Sequence, residues 1–307
     1  MKLFDAHCDA LLKMFEDKSI LFKNSPSLQA NLEGIRKAGI KVQCFAIYVP
    51  SDIKQEEKFK AAEQMARIFH EKVIGSSESV VQVRNKKEID RLKNDEIGAM
   101  LTLEGCDAIG DDMSKLVKLL DYGVASVGLT WNWANAVADG VMEKRGRGLT
   151  QFGRKVVKLL NQKKIWCDVS HLSERGFWDV MELADFPVAS HSNSYTKCPH
   201  PRNLKDDQIR SLIRGDSVMG LTFVPYFLTT SGNAHISDIL SHLDHICSLG
   251  GENHVGFGSD FDGIDQTVVK LSEMGQYLNV INELQKYYSE IQIEKFLYKN
   301  MESRLPG

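Results

Sequence analysis

Eight short apolar runs recur along the chain, most of them separated by a helix-like segment, and this alternation limits the possible folds more than any other feature. The runs cover residues 3–9, 42–49, 98–105, 125–131, 165–171, 187–191, 218–224 and 254–260. Segments 10–17, 112–121, 150–162, 173–183, 206–213 and 236–249 read as helices. A longer helix starts at Ser51 or Asp52 and places Phe59, Ala62, Met65, Phe69 and Val73 on one face, with His70 solvated. Residues 20–40 read as irregular, 86–93 as a helix in a charged stretch, and about 272–302 as a helical tail. Strands joined through helices must run parallel, because the crossover returns the chain to the same end of the sheet. Eight such units predict an α/β chain closed into a (β/α)8 TIM barrel. At 307 residues and 43% hydrophobic content the chain can form one such domain over 1–307; a barrel takes about 250 residues.

Polar residues end five of the eight runs: His7 and Asp9, Glu104, His171, His191 and Asp260. All strands of a parallel barrel open on the same face, so residues far apart in sequence meet around one mouth. His7 and Asp9, two apart on a strand, are expected to share a face, with Cys8 pointing away. Two histidines and a carboxylate can hold one metal ion, and His, Asp and a shared carboxylate another. Ionised carboxylates crowded at a mouth repel one another, and metal offsets that repulsion. His200, His235, His242, His245 and His254 lie in loops, helices or a strand start and read as surface or packing residues.

Other chemistries lack their motifs. Gly256-x-Gly258 has no third glycine, and neither G-x-x-x-x-G-K-[ST] nor G-x-S-x-G occurs. A net charge of −3 without long basic runs argues against nucleic acid or an anionic membrane as partner. No signal peptide is expected from residues 1–20, and no apolar stretch reaches the ~18 residues of a membrane span. Cys8, Cys44, Cys106, Cys167, Cys198 and Cys247 form no C-x-x-C pair and read as small buried hydrophobes in a reducing cytoplasm.

Seven motifs spread in order over nearly the whole chain resemble the renal (membrane) dipeptidase family of binuclear zinc barrels. They are 5–9 (DAHCD), 103–105 (LEG), 148–153 (GLTQFG), 168–171 (DVSH), 190–192 (SHS), 202–204 (RNL) and 258–263 (GSDFDG). The resemblance implies that His7 and Asp9 hold one zinc ion, His171 and His191 the other, and that Glu104 bridges them. It implies further that Arg202 grips the C-terminal carboxylate of a dipeptide, and that Asp260 orients the attacking water or the substrate amine. The implied reaction is hydrolysis of the peptide bond by a metal-bridging hydroxide. Well-studied family members carry a histidine after Leu-Thr, whereas this chain reads Leu129-Thr130-Trp131-Asn132. Trp131 donates through its indole, Asn132 substitutes, or the pocket differs. The competing readings are a hydrolase of another amide or cyclic amide on the same barrel, and a non-enzymatic metal-containing binding protein. A short peptide is the expected partner, a homodimer stays open, and the signal peptide and lipid-anchor tail of the animal members are not expected here.

Overall fold

The computed structural model describes residues 1–307, and its nine strands are all parallel. They are β1 (Leu3–Asp5), β2 (Ile40–Tyr48), β3 (Val80–Gln82), β4 (Ile97–Glu104), β5 (Val124–Gly128), β6 (Trp166–Asp168), β7 (Pro187–Val188), β8 (Met219–Leu221) and β9 (Val255–Phe257). Their order is β7-β6-β5-β4-β2-β1-β9-β8. A parallel bridge between Ala189 and Met219 joins the last strand to the first, and Gly220 N–H donates to the Ala189 carbonyl at 2.7 Å. The result is a nearly closed eight-stranded (β/α)8 barrel. β3 stands outside the ring; it pairs with the first half of β4, and β5 follows on the second half.

Side-chain alternation divides the core in two. Phe4, Val42, Cys44, Met100, Ala125, Trp166, Val188 and Val218 pack together inside the barrel, joined by Tyr298, Met301 and Leu305 from the C-terminal segment. The main core lies between the barrel wall and the helices. Trp166 donates its indole N–H to the Arg304 carbonyl at 3.0 Å, which ties that segment across the end of the barrel opposite the polar residues. The helices start where side-chain oxygens take up free backbone N–H groups. Thr150 accepts from Gly153 N and Ser173 from Gly176 N.

The structure corrects several sequence expectations. The first strand ends at Asp5, so His7 and Asp9 lie beyond the ladder rather than on it. Cys8 still forms an isolated parallel bridge with Phe261. A helix over Leu32–Ala38 occupies the segment read as irregular; Asn31 caps its start, and Gly39 closes its end in the left-handed conformation at φ 77°. The expected helical tail is broken into short pieces between Met274 and Arg304. His70 is half-buried, with Nε2 2.9 Å from the Tyr122 carbonyl, rather than solvated.

Candidate metal centre

Glu104 closes β4 on the inward face, two residues beyond Thr102 and four beyond Met100. Its two oxygens face different partners. Oε1 lies 2.9 Å from His171 Nε2 and 3.5 Å from His191 Nε2. Oε2 lies 3.6 Å from His7 Nε2, which is itself 3.4 Å from Asp9 Oδ2 and 3.7 Å from Asp260 Oδ1. The six residues from five strand ends thus converge: the donor atoms of His7, Glu104 and His191 lie within 4.8 Å of one another, as do those of His7, Asp9 and Asp260, and His171 adjoins the first group through Glu104 Oε1. All are buried or nearly so.

The protonation pattern leaves donor atoms without hydrogens. His171 Nδ1 is 2.8 Å from Asn132 Oδ1, and His191 Nδ1 is 2.7 Å from Ser190 Oγ. With a proton on each Nδ1, both Nε2 atoms carry lone pairs, and they stand 2.9 Å apart beside Glu104 Oε1. Three acceptors at that distance need a cation between them. Burial, and then the charge of Arg202, push the His171 imidazole down to about 4, and burial pushes His191 well below its ordinary value. Both rings are therefore neutral, as metal ligands must be. Against burial, the Glu104 and Asp9 carboxylates raise His7 well above the ordinary imidazole range, so a metal ion binding there would displace the proton those carboxylates hold on it. Burial and then repulsion from Glu104 raise Asp9. His7 Nε2 and Asp9 Oδ1 are buried with no hydrogen-bond partner. Such orphaned polar atoms are costly, and a divalent ion shared by imidazole and carboxylates would satisfy them. The residues present therefore fit a metal pair.

Two of these positions use unusual backbone. His171 and Asp260 both adopt φ 67°, in the left-handed region. The Val141 N–H donates to the His171 carbonyl at 2.7 Å, which helps to hold that conformation. Strain of this kind persists where the surroundings over-determine it.

The centre opens into a cavity of about 190 Å³ walled by Leu12, Tyr48, Trp131, Phe227 and Ile264, with Asp9, Glu104, His171 and Asp260 on its polar side. The Trp131 ring lies 5.3 Å from Tyr48 and 6.1 Å from His171, centroid to centroid. Asn132 lines the same cavity while its oxygen is engaged on His171. Beyond His171 lies a larger cavity of about 420 Å³ that Arg202 and Ser192 also line. Arg202 is buried, donates to the His191 carbonyl at 3.0 Å, and lies 5.5 Å from the Phe227 ring; its Nε has no partner.

Three buried groups at the site have no role in the sequence reading. Asp168 accepts from both Ser190 N–H and Ser190 O–H, behind His191. Asp5 accepts from Gln43, from Ser259 and from His7 N–H, which ties β1 to β9 beneath the site. Asp262 takes the backbone N–H groups of Gln29 and Ala30, so it anchors a loop. Asp5 and Asp168 open the motifs at 5–9 and 168–171, but nothing in the sequence names the partners that their oxygens hold. The remaining histidines are placed as packing groups. His242 is fully buried between Ser194 N–H and the Leu228 carbonyl, and His245 pairs with Asp206 at 2.8 Å.

The family model for membrane dipeptidases, peptidase family M19, matches residues 1–302. An uncharacterized protein in the pqqA 5′ region of Klebsiella pneumoniae is 34% identical over 226 residues, 69% of this chain and 83% of its own length. A metallo peptidase from Rhodobacter sphaeroides, crystallised with a phosphinate mimic of the dipeptide L-Ala-D-Ala, is 27% identical. It superposes with a TM-score of 0.93 over 99% of this chain and 98% of that one. The M19 dipeptidase AC, a metallo peptidase, is 28% identical with a TM-score of 0.93, covering 99% and 97% of the two chains.

Proposed function

The chain belongs to the membrane dipeptidase family, a family of hydrolases acting on dipeptides, and from that premise we propose a binuclear zinc dipeptidase. The observation that carries the two-ion reading is the division of Glu104, with one oxygen toward His171 and His191 and the other toward His7. Nitrogen and oxygen donors in this number suit zinc. Two divalent ions bound here would lower the pKa of water to about 7 and polarise the scissile carbonyl.

The protein's own residues account for the remaining steps. Arg202, with a buried and unpartnered Nε at the cavity wall, binds the C-terminal carboxylate of the substrate. That contact sets the scissile carbonyl beside Glu104 and His171. Burial, and after it the neighbouring Glu104 charge, raise Asp260 above the ordinary carboxylate value, while His7 and Arg202 oppose the rise. A carboxyl group so tuned can take the proton from the attacking water and return it to the leaving amine. Leu12, Tyr48, Trp131, Phe227 and Ile264 form an apolar wall for the first side chain and keep bulk water from the reacting atoms. The Rhodobacter sphaeroides relative holds a mimic of L-Ala-D-Ala, and the same class of dipeptide, with an L or a D second residue, is the substrate we assign.

The test is an assay of the zinc-loaded protein on matched L,L and L,D dipeptides and on their C-terminal amides. Hydrolysis of the free acids with loss on the amides is the expected result. Turnover of cyclic amides without turnover of any dipeptide would overturn the assignment.

A further inference from the structure

Behind His191 stands a carboxylate that the proposed reaction does not use. Asp168 ends β6, two residues beyond Trp166 on the face turned into the barrel, and it is buried. Its oxygens have separate partners. Oδ1 accepts the backbone N–H groups of Ser170 at 2.9 Å and Ser190 at 3.0 Å. Oδ2 accepts the Ser190 hydroxyl. A serine has one hydroxyl hydrogen, and here it goes to Asp168. Ser190 Oγ can then only accept from His191 Nδ1, 2.7 Å away. The proton of His191 is thereby held on Nδ1, and its Nε2 lone pair points at Glu104 Oε1 and His171 Nε2.

We propose that Asp168 and Ser190 are positioning residues: a carboxylate–serine–histidine relay that fixes the tautomer of His191 and strengthens it as a metal donor. The proposal rests on the reading that a metal ion occupies the position between His171 and His191. His171 is supported differently, by the neutral amide oxygen of Asn132. One ligand of the same ion is thus backed by a charge and the other by a dipole. Partners behind a metal-bound histidine typically contribute 10- to 100-fold in affinity.

The hydrogen-bond directions give the relay a signature that a merely structural carboxylate lacks. In Asp168→Asn the amide oxygen must stay on the Ser170 and Ser190 backbone N–H groups, because both donate to that position. The amide NH2 then faces Ser190 and donates to it, which turns the serine hydrogen toward His191 Nδ1 at 2.7 Å in preference to the more distant Ser170 Oγ at 3.4 Å. That ring must carry its proton on Nε2, where the metal binds. Asp168→Asn therefore does more than weaken the relay; it reverses it. Ser190→Ala leaves His191 free to keep the correct tautomer and costs less. Combining the two removes the serine that transmits the reversal.

Stepwise zinc dissociation constants, measured by competition with a chromophoric chelator, test this, with the melting temperature of the metal-free protein as a folding control. Wild type should bind two ions. Ser190→Ala should weaken one of the two constants about tenfold, and Asp168→Asn should weaken the same constant about 100-fold or more. The double variant should recover to the level of Ser190→Ala. A double variant weaker than either single one would overturn the relay, as would equal shifts in both constants accompanied by a fall in the metal-free melting temperature. Should Asp168→Asn not fold, Ser190→Ala decides alone, and an unchanged pair of constants would overturn the proposal. A wild-type protein that binds no zinc would instead remove the metal reading on which the relay rests.

Discussion

Asn132 Oδ1 lies 2.8 Å from His171 Nδ1, so the residue beside the cavity wall also orients a candidate metal ligand. The loop that carries both Trp131 and Asn132 reaches His171 a second time through the Val141 N–H. Replacing Asn132 with Leu keeps the bulk and removes the acceptor, which should weaken one zinc constant by roughly tenfold or more. Asn132→Asp puts a charge behind the same nitrogen and should tighten that constant instead. Chelator competition measures both, and equal effects of the two substitutions would deny Asn132 this role.

Glu104→Gln should affect both ions together. The amide cannot offer two anionic oxygens to the His171–His191 and His7–Asp9 groups at once. Metal analysis after dialysis should fall from two ions per chain toward none. A single ion per chain, the same in wild type and variant, would rule out the bridge.

Asp260→Asn should retain both ions and the fold yet lower kcat about 100-fold or more, the scale of a positioned acid–base group. The space around this carboxylate is kept open by Gly263, where a Cβ would stand 2.9 Å from Asp260 Oδ1 and 2.2 Å from Asp9 Oδ2. Asp262 is no substitute for Asp260, because its oxygens are held by Gln29 and Ala30 N–H. Full activity in a metal-loaded Asp260→Asn protein would place the proton transfer elsewhere.

The candidate cluster was legible in the sequence because each of its six polar residues follows an apolar run, and a parallel barrel gathers such ends automatically. What escaped has physical causes. His171 and Asp260 leave the ladder with φ 67°, so strand periodicity could not place their side chains; tertiary hydrogen bonds do. The link from Asp168 to Ser190 crosses 22 residues and exists only because β6 and β7 pair. β3 is three residues long, too short for a period to register. The helix at Leu32–Ala38 carried its signals openly, a capping Asn31 and a closing Gly39, and a reading by caps would have found it.

His242 should make stability fall in mild acid. Burial holds its imidazole down to about 4, against an ordinary 6.5. Its Nδ1 accepts from Ser194 N–H, and its Nε2–H donates to the Leu228 carbonyl, so the neutral form is the one built in. Between those two pH values the unfolded chain binds a proton that the folded chain refuses. The contribution is fully present above pH 6.5 and is lost progressively as pH falls to 4, by up to roughly 3 kcal/mol. His242→Gln can serve both partners without titrating. Denaturant midpoints of the metal-free proteins should lie close together at pH 7 and diverge in favour of His242→Gln as pH falls to 4, and a difference that stays constant would assign the acid sensitivity to other groups.

Trp131 stands where the family resemblance leads one to expect a histidine, with ring centroids 5.3 Å from Tyr48 and 6.1 Å from His171 in the cavity wall. Its indole has one N–H donor and no group that can transfer a proton at neutral pH. If the position serves to donate a hydrogen bond to developing charge, the indole can replace part of that contact; losing it would cost about 3 kcal/mol, near 10²-fold in rate. As a wall it adds apolar surface beside Leu12, Phe227 and Ile264 in a space of about 190 Å³, which suits a small or medium apolar side chain. Trp131→Phe removes the donor and keeps most of the wall, so selectivity for apolar dipeptides should persist with a moderate loss of kcat. Trp131→His restores a donor and opens the wall, so charged and polar dipeptides should gain relative to apolar ones. The comparison is the ratio of kcat/KM for apolar to charged first residues across the three proteins. Equal ratios in all three would mean that the indole faces neither the substrate side chain nor the reacting carbonyl.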